Sequence, residues 1–283
     1  MNRCEAALNR GSAALNRAAG ALNSHQKKKI MTHRIVKTIV LMAAMWLTAG
    51  QVQAQSQPQA EVEADLVSKY LWRGMEKGGI SLQPMAKVSW QGAYVKLFGS
   101  AGFDKSDEEE IDLSLGYEFP FGLNIGVTDY WQTGIEPNDL YFAYNKQTTA
   151  HRLEGNIGYT CRYGSVQAYC MFYGHDTKID GSQAYSTYIE LTVPFRLGGL
   201  DWTAKAGFTP MESAGWTVPD YATLSESLHY FYADGPTCVM ASVRATKNLK
   251  LRGVTLPIFA ELHTNPYMQT AHIMGGIGVK VTK

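Results

Sequence analysis

The chain has 283 residues, a formal net charge of +1, 45% hydrophobic residues and 18% charged residues. Acidic and basic residues are so nearly balanced that nothing favours binding to a phosphate backbone, and we expect no nucleic-acid partner. The 16 tyrosines and 27 glycines favour a β protein over a helical one.

The N-terminal part of the sequence has the pattern of an export signal. Basic residues precede an apolar run that is too short for a transmembrane helix, and Val52 and Ala54 fit the small-residue rule for cleavage. Farther upstream, a repeated Ala-Leu-Asn motif resembles no targeting signal. The predicted organisation is a start-site artefact at 1–30, a signal peptide at 31–54 and an outer-membrane β-barrel domain at 55–283.

Three cysteines, Cys161, Cys170 and Cys238, follow the predicted cleavage site. Export permits disulfides, but an odd number of cysteines cannot all pair within one chain. We expect all three to be unpaired residues of β-strands.

From residue 60 onward, apolar and polar side chains alternate with the period of two that is typical of β-strands. In EIDLSLGYEF at 110–119, Leu113 and Leu115 lie on one face while Glu110 and Asp112 lie on the other. The same separation recurs along the chain. We predict twelve strands, at 61–73, 80–90, 93–103, 110–119, 122–131, 150–161, 164–174, 184–195, 200–208, 237–247, 254–263 and 270–281.

The lengths and connections of these strands indicate a membrane barrel. Most strands are close to the roughly 9–11 residues that a tilted transmembrane strand needs. Short connections alternate with longer, more polar ones, and the strand count is even. The predicted fold is therefore all-β: a single antiparallel transmembrane β-barrel of about 12 strands, with short periplasmic turns and longer extracellular loops. A secreted β-sandwich also explains the alternation, although not the alternating loop lengths.

Aromatic side chains on the predicted outward faces cluster near strand ends, and aliphatic residues and glycine lie between them. Amphipathic rings favour the lipid headgroup level, so two girdles around an apolar band are expected. The predicted membrane-interface aromatics are Tyr70, Trp72, Trp90, Tyr117, Phe119, Tyr159, Tyr185, Phe195 and Trp202.

The first predicted strand contains the stretch KYLWR, in which two cations flank three large side chains. On a barrel, Tyr70 and Trp72 are expected to face lipid, while Lys69 and Arg73 point into a wet lumen. There Arg73 is expected either to bind the anionic part of a solute or to pair with an inward carboxylate such as Glu110.

The stretch SKYLWRG, followed by a glycine-containing loop and SLQP, resembles the opening of the TorF-type family, a family of candidate porins of the outer membrane. That family begins with a Ser-x-Tyr-x-x-Arg-Gly strand, matched here by Ser68, Tyr70, Arg73 and Gly74. EIDLSLGYEF then resembles its acidic, glycine-tyrosine strand. The similarity is clearest over 64–131 and implies a barrel with a pore, but little about its solute. The chain departs from many outer-membrane barrels in ending GVKVTK, without a terminal aromatic residue.

Ten acidic and eight basic residues fall on the predicted inward faces, so no strong ion selectivity follows. The lumen is either an open pore or a narrow space filled by ion pairs across it, and the pattern fits both. The predicted pore-lining residues are Lys69, Arg73, Lys87, Lys96, Glu110, Asp112, Glu118, Arg152, Glu154, Glu190, Lys205, Arg244, Glu261 and Lys280.

The predicted function is a passive porin or small-solute channel in the outer membrane of a Gram-negative-type cell, with membrane lipid and small solutes as its partners. The alternative is a non-conducting barrel that binds a ligand or partner through its long loops. A barrel hydrolase is a lesser alternative, because His263 and His272 lie near the last long loop without a visibly placed serine. No motif for metal or nucleotide chemistry stands out, so we expect no enzyme activity, no catalytic residue, no cofactor and no metal site.

Overall fold

The computed structural model describes residues 57–104, 107–134, 140–146, 148–178, 180–214 and 230–283. The chain divides into two compact units, 1–54 and 55–283, and the first lies wholly outside the described residues. The predicted start-site artefact and signal peptide therefore also lie outside them. Among the described residues, no helix has the length and apolar character needed to cross a membrane.

The described residues form fourteen β-strands. They are β1 (Gln59–Val67), β2 (Tyr70–Trp72), β3 (Met75–Gly78), β4 (Ser81–Trp90), β5 (Ala93–Gly102), β6 (Glu110–Glu118), β7 (Leu123–Gln132), β8 (His151–Cys161), β9 (Gly164–Gly174), β10 (Thr187–Leu197), β11 (Leu200–Thr209), β12 (Thr237–Leu251), β13 (Val254–Asn265) and β14 (Thr270–Thr282).

Twelve of these strands close into one antiparallel barrel, in the order β1-β14-β13-β12-β11-β10-β9-β8-β7-β6-β5-β4. The first strand completes the ring, since Val62 of β1 lies opposite Val281 of β14 on one side and Ala86 of β4 on the other. A closed ring leaves no strand edge unpaired. The predicted all-β barrel of twelve antiparallel strands is confirmed.

The two ends of the barrel differ in their connections. Short turns join the strands at one end, the short-turn end, and mostly longer segments join them at the other, the long-loop end. Gln91 and Gly92 connect β4 to β5 with φ values of 51° and 90°. Both are left-handed, as a two-residue type I′ turn requires. The two terminal strands also meet at the short-turn end, where Ala60 and Lys283 exchange backbone hydrogen bonds.

The prediction that the first barrel strand continues to Arg73 is wrong. Strand β1 ends at Val67, and β2 and β3 form a separate two-stranded sheet that packs inside the barrel. We call residues 69–78 the plug hairpin. Arg73 and Gly74 make its turn, with φ values of 48° and 90° that again fit type I′. A Cβ at Gly74 would overlap the carbonyl oxygen of Val239, so the close approach requires glycine.

The buried hydrophobic core lies inside the barrel, toward its long-loop end. One cluster joins Met75 of the plug hairpin to Met171, Phe231, Tyr232 and Met268. A second is formed by Tyr188, Ala233, Val239 and Met240, and a third by Val67, Phe259 and Met274.

The outer wall of the barrel is apolar and exposed. Leu113 is 37% exposed, whereas its neighbour Ser114 is 3% exposed and its hydroxyl lies 2.9 Å from that of Thr128. This contrast follows from the alternation of side chains along a strand. Other exposed aliphatic residues of this wall are Leu66, Leu82, Val95, Leu115, Ile125, Val127, Ile157, Val166, Leu191, Val193, Ile258, Leu262, Ile277 and Val279.

Aromatic side chains lie toward both ends of the outer wall. Near the short-turn end, the rings of Phe195 and Trp202 stack at 6.0 Å. Among the predicted interface residues, Trp90, Tyr117, Phe119, Tyr159, Phe195 and Trp202 lie on or beside the outer face of the strands, and Tyr185 is exposed in the connection before β10. Tyr70 and Trp72 were predicted there too, and this is corrected: both belong to the plug hairpin and lie inside the barrel, because β1 ends before them.

The three cysteines of the described residues are free. Cys161 lies in β8, Cys170 in β9 and Cys238 in β12. The structure therefore agrees with the expectation of three unpaired thiols in strands.

Candidate functional site in the barrel lumen

The turn of the plug hairpin is held to the barrel wall by a buried ion pair. The Nη1 and Nη2 groups of Arg73 donate to the two carboxylate oxygens of Glu154 at 2.7 and 2.8 Å. The hydroxyl of Tyr130 donates to the same carboxylate at 2.9 Å. Glu154 is 1% exposed, so its charge depends on these donors in place of water. The sequence-based alternative of a pair between Arg73 and Glu110 is corrected to Glu154.

Aromatic rings enclose the guanidinium of Arg73. Its central carbon lies 4.6 Å from the ring centre of Trp72, 4.8 Å from that of Tyr169, 4.5 Å from that of Tyr188 and 5.4 Å from that of Phe231. Ring faces carry negative charge density and attract a desolvated cation. The plug hairpin is thus fixed by its own Trp72 together with three rings from elsewhere in the chain.

A chain of hydrogen bonds anchors the start of the plug hairpin to the opposite wall. The Tyr70 hydroxyl donates to Glu110 at 2.9 Å, and the amide of Gln132 donates to the other oxygen of that carboxylate. Arg152 donates to the Gln132 side chain at 2.7 Å and to the carbonyl oxygen of His175 at 2.9 Å. Burial, together with the charge of Arg152, lowers the pKa of His175 in the adjoining loop.

Two histidines hold the plug hairpin from the side of β13 and β14. The backbone N–H of Gly74 donates to Nε2 of His263 at 2.8 Å, and Nδ1 of that ring lies 2.9 Å from Glu261. Because Nε2 accepts, the ring is the neutral tautomer that carries its proton on Nδ1. Nδ1 of His272 lies 2.9 Å from the carboxylate of Glu76. Both rings, considered above as hydrolase candidates, are therefore engaged with the hairpin or its support.

These contacts fill the long-loop half of the lumen across the described residues. Met171, Tyr188 and Phe231 are fully buried, and Arg73 and Glu154 between them are nearly so. The side chains of this band are packed closely against one another, so the plug hairpin and its contacts narrow the lumen at this level.

Below this band, toward the short-turn end, the lumen is hollow and polar. A cavity of about 490 Å³, the deep cavity, is lined by the plug hairpin and the inner faces of β9 to β13. A second cavity of about 640 Å³, the mouth cavity, reaches Gly199 in a short turn. Arg244 lines both, so the two adjoin, and we call them together the vestibule. Charged residues of the vestibule are Arg73, Glu190, Lys205, Arg244 and Glu261 in the deep cavity, and Glu63, Asp65, Arg196, Asp201, Arg244, Lys247, Lys250 and Lys280 in the mouth cavity.

Most of the predicted lumen residues occur as neighbouring ion pairs on the inner wall. The N–O distances are 2.6 Å for Lys87 with Glu118, 3.0 Å for Lys205 with Glu190, 2.6 Å for Arg244 with Glu261, 2.8 Å for Lys280 with Glu61, and 2.6 Å for Lys69 with Glu76 in the plug hairpin. Lys96, Glu110, Asp112, Arg152 and Glu154 lie in or beside the filled band. The structure thus divides most of the predicted set between the plug contacts and the vestibule, while Lys87 and Glu118 pair with each other outside both cavities.

Sequence reasoning missed the rings that enclose Arg73. Among these rings, Tyr169 and Tyr188 have the strand parity of the inward charged residue Glu190, which was the available signal. Tyr130, which donates to Glu154, shares the inward parity in the same way. The Arg-Gly pair at 73–74 was also a two-residue turn signal, weaker than Asn-Gly because an arginine seldom adopts a left-handed conformation.

Comparisons with known proteins give distant structural matches. The NanC porin matches with a TM-score of 0.41 and 8% identity, covering 78% of this chain and 98% of that one. An outer-membrane channel from Pseudomonas putida F1 matches with a TM-score of 0.38 and 10% identity, covering 82% and 97%. OprD from Pseudomonas aeruginosa gives 0.29 and 9%, covering 79% and 66%. No curated protein matches the chain.

A comparison with family models gives a match over most of the chain. The family described as "Bacterial protein of unknown function (Gcw_chp)" matches residues 52–255. This region includes 64–131, where the resemblance to the TorF-type family is clearest, but the matched model carries the Gcw_chp name and no function. The chain belongs to the Gcw_chp family of bacterial proteins.

Proposed function

We propose that the protein is a channel for small polar solutes in the outer membrane of a Gram-negative-type cell, exported by the signal peptide predicted at 31–54. Support for the membrane comes from the outer wall, where aliphatic side chains are exposed around the barrel and aromatic rings lie toward both ends. In water such a continuous apolar belt would drive association, with each buried Å² worth roughly 25 cal/mol. In a bilayer the same belt faces hydrocarbon.

The observation that carries the channel proposal is the vestibule. A polar, charged space runs from the short-turn end to the underside of the plug hairpin. What closes it in the described residues is a hairpin held by hydrogen bonds, ion pairs and ring contacts rather than by the barrel strands. The hairpin ends at Gly78, and Gly79, whose N–H donates to Asp107 at 3.2 Å, begins the link to β4, where a glycine backbone can adopt other conformations. Solute passage then requires the plug hairpin to leave its seat.

Planar-bilayer recording tests the proposal. The wild-type barrel is compared with a variant in which residues 69–79 are replaced by a short Asn-Gly turn, which suits the antiparallel pair of Val67 and Ser81. We expect brief openings for the wild type and steady current for the variant. The largest ion that still carries current gives the upper size limit for a solute. Absence of current in both, with heat-modifiable gel migration showing a folded barrel, would contradict a channel.

A second candidate is a non-conducting barrel that binds a ligand or partner through its long loops. The filled band around Arg73 favours it, because a well-packed plug also stabilises a purely structural barrel. Steady current in the shortened variant alone, with a silent wild type, supports this second candidate over the channel.

A further inference from the structure

Arg244 occupies the place where the deep cavity and the mouth cavity meet. Its Nε donates to Glu261 at 2.6 Å, and its guanidinium lies over the ring of Phe259 at 4.5 Å. These two contacts hold the planar group in one orientation. The Nη1 and Nη2 groups have no hydrogen-bond partner among the described residues, although the side chain is only 37% exposed. The arginine therefore presents a positioned, unused fork of donors to the vestibule.

Donors without a partner lie around this fork on the side of the deep cavity, while on the side of the mouth cavity the carboxylate of Asp65 acts on Arg244 by its charge. Both oxygens of Glu261 are already engaged, one by His263 and the other by Arg244. The hydroxyl of Ser242, which lines the same deep cavity, has no partner among the described residues. Lys205, also on this wall, has Glu190 as its ion-pair partner among the described residues. A ligand that satisfies these donors of the deep cavity must bring acceptor oxygens.

The charges at the entrance to the vestibule also favour an anionic solute. Five cations, against three carboxylates, line the mouth cavity through which a solute from the short-turn end must pass. Lys250 among them has no ion-pair partner in the described residues. A recess with an excess of one charge, walled by low-dielectric protein, concentrates ions of opposite sign.

We propose that the vestibule binds small organic acids, with a carboxylate of the solute received by the Nη1 and Nη2 groups of Arg244. A guanidinium fork matches the two oxygens of a carboxylate in a bidentate pair. The deep cavity, at about 490 Å³, has room for a molecule of metabolite size. This proposal rests on the proposed function in so far as the vestibule is the solute path, but binding itself requires no current.

Isothermal titration of the folded wild-type barrel with glutarate tests the site, with neutral glutaramide as the matched ligand lacking charge. We expect saturable glutarate binding and none for glutaramide. Arg244→Gln should weaken glutarate binding at least about tenfold. Arg244→Lys should be intermediate, because the charge remains while the fork is lost. The control Lys87→Gln removes a lumen cation that lines neither cavity and should bind as the wild type does.

Absence of glutarate binding to the wild type, or equal binding to Arg244→Gln, would overturn the proposal. Inorganic phosphate binding as tightly as glutarate would overturn the assignment to organic acids. Planar-bilayer current, recorded beside the binding measurement, separates this site from the channel itself. A silent barrel that still binds glutarate through Arg244 contradicts the proposed function and supports the site. A conducting barrel with no Arg244-dependent binding supports the proposed function and contradicts the site.

Discussion

Arg73 and Glu154 form a two-pronged ion pair inside the barrel, 81 positions apart in sequence, with both N–O distances below 3 Å. Arg73 belongs to the turn of an internal hairpin and Glu154 to the wall of β8. The pair thus joins a segment that is not part of the barrel to the barrel itself. Its burial makes each charge depend on the other, because neither is near bulk water.

We first predict that Glu154→Gln destabilises the barrel strongly, since it leaves the Arg73 guanidinium buried without a carboxylate. Removing one partner of a buried pair costs about 3–5 kcal/mol. The matched control, Glu190→Gln, removes a carboxylate whose partner Lys205 is 40% exposed, and about 0–1 kcal/mol is expected. Urea unfolding in detergent measures both. Similar losses in the two variants would mean that the Arg73 pair is not the main fastening of the hairpin.

The second prediction concerns His263, which accepts the backbone N–H of Gly74. His263→Phe should leave that buried donor without an acceptor, at a cost of about 1–3 kcal/mol. His263→Gln keeps an acceptor oxygen on a side chain and should be the milder change. Hydrogen exchange at the Gly74 amide is the measurement, with fast exchange expected for the phenylalanine variant alone. Equally slow exchange in all three proteins would show that this contact does not hold the turn.

The third prediction tests which face of the strands meets lipid. Thr203 lines the deep cavity, while its neighbour Ala204 lies opposite Val193 and Val243 on the outer wall. Ala204→Arg should cost roughly 2–4 kcal/mol near the middle of a bilayer, and Thr203→Arg should be tolerated in a wet cavity. Heat-modifiable migration after folding into lipid vesicles reports both. Equal damage would contradict the assigned faces.

The fourth prediction concerns a loop fastened to the outer side of the barrel. His151 places Nδ1 at 2.8 Å from Asp129 and Nε2 beside the carbonyl oxygen of Tyr141, and the ring of Tyr144 stacks on it at 4.0 Å. Both nitrogens face acceptors, which fits the doubly protonated ring. His151→Phe should therefore release this loop, and trypsin should cleave after Lys146 several-fold faster than in the wild type.

His272→Phe is the control for that experiment, because among the described residues His272 pairs with Glu76 of the plug hairpin, on a different side of the barrel strands from His151. Its cleavage after Lys146 should match that of the wild type. An unchanged rate of cleavage after Lys146 in His151→Phe would show that His151 does not hold this loop.

Much of the barrel was predictable because its signals are local. The period of two locates each strand by the physics of pleating, and Gln91-Gly92 marks a turn by its need for left-handed backbone. The plug hairpin was not predictable in this way. Its residues also alternate, so Tyr70 and Trp72 fit a lipid-facing strand as well as an internal one. Only their contacts with Glu110 and Phe231, distant in sequence, decide between the two.

The candidate site was predictable in part for a similar reason. Strand parity places Arg244 and Glu261 on the inner wall, and their pairing follows once β12 and β13 are neighbours. The partner of Arg73 could not be found from sequence, since it depends on how deeply the hairpin enters the lumen. Glu110 and Glu154 share the inward parity, and only the three-dimensional position of the turn selects Glu154.

The most direct test of the account locks the plug hairpin in place. Glu76 and His272 have side-chain atoms 2.9 Å apart, so cysteines at both positions can be joined by a short, cleavable thiol cross-linker. The background lacks the free thiols Cys161, Cys170 and Cys238. In planar bilayers we predict that cross-linking abolishes channel openings and that cleaving the linker restores them. Current that is the same with the hairpin locked and unlocked would contradict the claim that solutes pass only when the hairpin moves.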